Sequence, residues 1–233
     1  LLIDAGFSMK ETVRRLATID VSLDSIDAIV ISHEHSDHIR GVEILAKNLK
    51  IPVFMAPAAT AAMQLNAQNC RFEPIFAGQS FNVGNIEIHP FSIPHDSAEP
   101  LAFRIDAEGI RTSVVTDLGY IPELVKQRVA GSHCLVFEAN HDLEMLKVGP
   151  YPWFVKQRVM SRHGHLSNDT TAQFFEQDYD GMAEHIFLAH ISQKNNHPEI
   201  VRMTIVQAFE TRGLPIEKVQ LTSQDEPSQL VRF

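Results

Sequence analysis

Between residues 33 and 38 the chain reads His-Glu-His-Ser-Asp-His, three imidazoles and two carboxylates in six positions. Imidazole suits zinc, iron or manganese, and adjacent carboxylates add oxygen ligands for a doubly charged ion. If this loop is extended, His33 and His35 project to one side and Glu34 to the other. Asp37 and His38 can then turn toward a second ion. The spacing is not HExxH, so a zincin helix is excluded. Two more ligand-type residues each close an apolar run: Asp117 after Val114-Val115-Thr116, and His190 after Ile186-Phe187-Leu188-Ala189. Glu138 likewise ends Leu135-Val136-Phe137, and His165 lies in the polar run His163-Gly164-His165-Leu166-Ser167-Asn168.

Such residues need elements to hold them. Leu1 to Gly6 reads as a strand closing on a turn, and a chain opening in mid-strand without Met is expected to lack its true start. Ser8 caps a predicted helix to Ala17, with Met9, Val13 and Leu16 on one face. Asp27 to Ile31 is predicted as a buried strand, the histidine motif as a polar loop, and Ile39 to Leu49 as a helix. That order places ligands at the carboxyl end of a strand. Further strands are expected at Ile51–Ala56, Asn85–His89, Leu101–Ile105, Arg111–Thr116, His133–Phe137 and His185–Ala189, with a hairpin turn over Asp106–Gly109. Helices are expected from Pro57 to about Asn66, at Ile121–Ala130, Leu143–Val148, Trp153–Met160, Ser167–Gln177 and His197–Phe209. The tail through Ile216, Val219 and Leu221 suits a sheet edge. No repeat or linker divides residues 1–233, so one mixed α/β domain is expected.

Composition excludes several classes. Of 233 residues, 44% are hydrophobic and 21% charged, which rules out a disordered chain. No apolar run approaches the roughly 18 residues of a membrane span. Two cysteines, Cys70 and Cys134, can form neither a disulfide framework nor a four-cysteine zinc site. Reduced cysteines and no signal-peptide pattern fit a cytoplasmic enzyme. Twenty basic against 29 acidic residues give a net charge of -9, which argues against a broad nucleic-acid-coating surface. A local site whose positive charge comes from metal ions stays open. Twelve histidines are the more telling count. The echo of Lys126-Gln127-Arg128-Val129 and Lys156-Gln157-Arg158-Val159 reads as two solvated helix faces, with a phosphate contact as the functional reading. His89, His133, His185 and His197 read as surface or packing residues, and His163 as a loop residue.

The motif resembles the HxHxDH signature of metallo-β-lactamase-fold hydrolases. That resemblance implies an αββα sandwich with a dinuclear metal site at the sheet edge. It implies His33, His35 and His95 around one divalent ion and Asp37, His38 and His190 around the other. Asp117 would bridge them, with a shared hydroxide. Asp4, in LLIDAG, resembles the family's Asp that supports the metal-binding loop. The phosphodiesterase branch further implies His165 as the proton donor to the leaving oxygen, oriented by Glu138. The runs LLIDAG, ISHEHSDHIRG, PHDSAEP, FEANHD, YPW, GHLSND and LAHISQKNN are similar to the YycJ/WalJ group, from Leu1 to about Arg202.

That group implies a 5'-to-3' DNA exonuclease using two zinc or manganese ions, with no organic cofactor and no membrane attachment, as monomer or homodimer. Catalysis would fall to Asp37, Glu138 and His165, and substrate contacts to Ser192, Asn195, Asn196 and His141, although Ser192, Asn195 and Asn196 could equally cap the next helix. His141 is equally readable as a local turn or cap residue. Three departures from the family pattern stand out. The Ser/Gly/Asn-rich loop before the first strand is missing, only 73 positions separate Asp117 from His190, which leaves no room for an RNA-processing cap domain, and no second Cys/His cluster is present. A small-molecule hydrolase of cyclic phosphodiesters, thioesters or lactones is the enzymatic alternative, and a non-catalytic nucleic-acid-binding module the other.

Overall fold

A computed structural model describes residues 1–63 and 70–233. The chain folds as two compact units: residues 1–92 with 97–103, and residues 93–96 with 104–233. The first unit carries a parallel sheet in the order β1 (Leu2–Ile3), β2 (Ile29–Val30), β3 (Pro52–Met55), β4 (Arg71–Pro74). Ala28 to Ile31 is fully buried, as expected of a strand covered on both faces. Helix α1 (Met9–Ala17) starts at Ser8, whose side chain accepts from the Glu11 amide. Two shorter helices, α2 (Ser36–Ile39) and α3 (Val42–Leu49), replace the single helix predicted over 39–49. The break falls at Gly41, where a Cβ would lie 2.0 Å from the Phe7 carbonyl oxygen. This close approach fixes the end of the histidine loop. Helix α4 (Pro57–Ala62) begins at its proline, and the part of the predicted helix beyond residue 63 lies outside the described residues. Strands β5 (Phe81–Val83) and β6 (Ile86–Ser92) form an antiparallel hairpin.

Strand β7 (Leu101–Ala107) leads to β8 (Ile110–Val115), and the turn shrinks to Glu108-Gly109, both at positive φ as a two-residue hairpin requires. The second unit has a parallel sheet ordered β8, β9 (Cys134–Glu138), β10 (His185–Ala189), β11 (Val219–Leu221). The tail strand occupies its edge. Helices α5 (Glu123–Val129), α6 (Leu143–Val148), α7 (Trp153–Val159), α8 (Asn168–Gln177) and α9 (Pro198–Arg212) complete the unit. Phe137 of β9 stacks on Phe174 of α8 at 4.7 Å, with Phe175, Tyr179 and Phe209 around them. This aromatic core seats α8 on the sheet and so fixes the loop that precedes it. No helix among the described residues is long and apolar enough to cross a membrane.

The first basic echo stays on a surface helix face, and in the second only Lys156 departs from the expectation of a solvated face. Lys126 pairs with Asp178 at 2.8 Å. Lys156 is buried and donates to the Lys147 carbonyl at 2.6 Å, closing the end of α6, while Arg158 pairs with Asp96. Burial of the long Lys156 stem explains the difference.

Candidate metal centre

Parallel strands bring their carboxyl ends to one edge of a sheet, and the ligand-type residues of each unit stand there. In the first unit Asp4 follows β1, and Ser32 and His33 follow β2. Asp4 adopts φ 55°, a left-handed conformation uncommon outside glycine. Its carboxylate accepts from the Ser32 amide at 2.8 Å, the Ser32 hydroxyl at 2.9 Å and His38 Nδ1 at 2.8 Å. Because the Ser32 hydroxyl donates to Asp4, its oxygen accepts from His33 Nδ1 at 2.9 Å. Both rings therefore hold a proton on Nδ1 and present a bare Nε2, the form a metal requires. His33 Nε2 lies 3.0 Å from His35 Nδ1, so these two rings converge. Asp37 is 61% exposed, with Oδ2 3.6 Å from His38 Nε2. Gly6 makes this loop possible: a Cβ there would fall 1.5 Å from the Asp37 carbonyl oxygen.

In the second unit Asp117 follows β8, Glu138 ends β9 and His190 follows β10. Asp117 and His190 take φ 64° and 57°. Three left-handed non-glycine residues at three site positions are local strain of the kind held at functional sites. Buried His95 donates from Nδ1 to the Gly164 carbonyl at 3.2 Å, since a carbonyl can only accept. Its Nε2 faces Asp117 Oδ1 at 3.9 Å. Glu138 is fully buried. Oε2 accepts the Leu118 and Leu166 amides at 3.1 and 3.0 Å, and Oε1 accepts His165 Nδ1 at 2.9 Å and His190 Nδ1 at 2.7 Å. Burial raises the Glu138 pKa, but the charges and hydrogen bonds of His165 and His190 outweigh it and hold it near about 2. Burial disfavours a charged His165, yet Glu138 raises its pKa above the ordinary imidazole value.

Asp117, Glu138, His165 and His190 each bring a donor atom within 4.8 Å of the others. With four hydrogen bonds accepted, Glu138 is a support for two imidazoles rather than a ligand. A divalent ion fits the donor set of His190, whose Nδ1 is held by Glu138, and the Asp117 carboxylate beside it.

Three of the expected substrate contacts are buried side chains. His141 is 1% exposed, and burial lowers its pKa to about 4, so it is a neutral buried residue. Asn196 is buried and exchanges amide bonds with Asn168, both at 2.9 Å, while also donating to the Ala139 and Asn140 carbonyls. Asn195 is buried too, its Oδ1 beside Gly149. Ser192 is half-buried, and its hydroxyl accepts the Asn195 amide at 3.2 Å, which leaves its own proton to donate. His163 is an exposed loop residue. His133 accepts the Arg111 amide, and His197 caps α9. Two residues were not singled out from sequence. Ser32 joins Asp4, His33 and His38, and Asn140 donates to the His190 carbonyl at 2.8 Å. A small hydroxyl directly before the first histidine, and an amide two positions after Glu138, were the available signals.

These features define a metal-dependent hydrolase, and comparison places it. Residues 1–191 match the Beta-lactamase superfamily domain, and the chain belongs to that superfamily. It is 34% identical over 219 residues to Exodeoxyribonuclease YycJ of Bacillus anthracis, covering 93% of this chain and 83% of that one. It is also 34% identical over 241 residues to Exodeoxyribonuclease WalJ of Streptococcus pneumoniae, covering 100% and 90%. Among solved structures, the metallo-beta-lactamase fold protein YhfI from Bacillus subtilis is similar in fold, with TM-score 0.70 and 17% identity over 94% of this chain and 83% of that one. The expected α/β metallo-β-lactamase fold is therefore the fold of this chain.

Proposed function

We propose that the chain is a phosphodiester hydrolase acting on DNA, a 5'-to-3' exonuclease of the cytoplasm, in which residues of both units form one catalytic domain. The observation that carries this reading is the Glu138–His165 pair, an imidazole whose Nδ1 lies 2.9 Å from a buried carboxylate that favours its charged form. Departure of an alkoxide from phosphorus needs such an acid. The names of the YycJ and WalJ relatives support the choice of DNA.

His33, His35 and His95 would hold one divalent ion, zinc or manganese, and Asp37, His38 and His190 a second, with Asp117 shared. Bound ions supply a water of lowered pKa and neutralise charge on the phosphoryl oxygens. The protein's own part follows from its hydrogen bonds. Asp4, through Ser32, fixes the His33 ring, and fixes the His38 ring directly. The Gly164 carbonyl fixes His95, and Glu138 fixes His190. His165 gives its Nε2 proton to the departing sugar oxygen, while Glu138 keeps the Nδ1 proton and steadies the ring as its charge is lost. Ser192 donates to a phosphate oxygen.

The test is end-labelled DNA bearing a 5'-phosphate or a 5'-hydroxyl, given to protein loaded with manganese or with zinc, beside Asp117→Asn. Stepwise loss from the 5' end that disappears in the variant is expected. Loss from the 3' end would overturn the polarity. Hydrolysis of bis(p-nitrophenyl) phosphate without any cutting of DNA would move the substrate to small phosphodiesters.

A further inference from the structure

Trp153 and Phe154 open α7 with 61% and 72% of their surface exposed, and Val148, at the end of α6, is 84% exposed. Two large aromatic side chains left exposed at consecutive positions, with Val148 exposed as well, mark a binding surface more often than a packing accident. Helix α7 leads from them into the site. The Val159 carbonyl accepts the His165 amide at 2.9 Å, and Arg158 pairs with Asp96, the neighbour of His95. At about 1.5 Å rise per residue, Trp153 stands roughly 9 Å along the helix axis from Val159. A second tether reaches the same corner. Lys194, four residues after His190, lies with Nζ 5.8 Å from the ring centre of Tyr151. Four residues span at most about 14 Å.

Charge narrows the occupant. Lys147 and Arg158 are paired with Glu144 and Asp96, and Lys156 is buried on a carbonyl. Lys194 makes no ion pair among the described residues, although the chain carries a net charge of -9. An unpaired cation beside exposed aromatic rings matches a flexible polyanion with flat, stackable groups. We propose that Trp153 and Phe154 form a stacking platform for unpaired bases of the strand being cut, with Lys194 on its phosphate backbone. The proposal rests on the nuclease reading and adds a single-stranded substrate path to it.

Trp153 is the one tryptophan in the chain, so tryptophan emission excited beyond the absorption of the three tyrosines reports this position alone. Metal-loaded protein is titrated with phosphorothioate oligo(dT), which resists cutting, and with an abasic phosphorothioate strand of equal length. The expected result is quenching by oligo(dT) and little by the abasic strand. Phe154→Ala, at an exposed position and checked by an unchanged melting temperature, is expected to bind oligo(dT) about tenfold more weakly. Absent quenching, or equal quenching by the abasic strand, would overturn the platform. So would emission that follows protein concentration instead of oligonucleotide, which would assign the patch to a second copy. Cutting of DNA without base-dependent quenching leaves the nuclease reading standing and removes the platform; quenching without cutting does the reverse.

Discussion

His141 sits directly after Asn140 with its Nδ1 buried and without a hydrogen-bond partner among the described residues. Burial lowers its pKa to about 4, whereas an unfolded chain returns it to about 6.5. A group with a depressed folded value contributes stability above the unfolded pKa and loses it as pH falls through the folded one. Metal-free protein is therefore expected to lose up to about 3 kcal/mol between pH 6.5 and 4. Urea unfolding across that range checks it, and an unchanged slope in His141→Gln would remove His141 as the cause. His165 makes a separate prediction. On the proposed role of His165 as proton donor, His165→Gln should slow DNA hydrolysis by about 10²- to 10⁴-fold with little change in KM. A loss confined to KM would make His165 a binding residue instead.

At the scale of elements, two contacts hold the acid loop. The Val159 carbonyl fixes the His165 amide, and a Cβ at Gly164 would lie 2.1 Å from that same carbonyl oxygen. Gly164→Ala should therefore displace His165 and its Glu138 bond, reducing turnover while the aromatic core still melts cooperatively. Circular dichroism with a kinetic assay reads both, and full activity would show that the loop has room to adjust. Phe137→Ala removes the ring that seats α8, and about 3–5 kcal/mol of stability should go with it, read from a denaturant midpoint. Most candidate ligand positions were legible in sequence because they follow an apolar strand or lie in one dense loop, whereas His95, three positions beyond β6, came only from the family resemblance. Strand β4 was not, since Arg71-Phe72-Glu73-Pro74 is an edge segment with exposed ends and a proline. Strand β5 has three residues and exists through its hairpin partner β6. The break before α3 was hidden for another reason: the apolar spacing runs straight across Gly41, and only the approach of the Phe7 carbonyl interrupts it. His141, Asn195 and Asn196 read as substrate contacts because polar residues near a site resemble ligands until their burial is known.

For the whole molecule, ligand-type residues are divided between two compact units, while the superfamily match runs through both. Ion binding should stabilise the folded chain by about 2.7 kcal/mol at a hundredfold excess over Kd for each site. The most direct test of the two-ion hydrolase is to titrate metal-free protein with manganese, and separately with zinc, following DNA hydrolysis against equivalents bound. Hydrolysis is expected to rise to a plateau at two equivalents, which His38→Ala is expected not to reach. A plateau at one equivalent, or hydrolysis in His38→Ala equal to that of the unaltered chain, would contradict it.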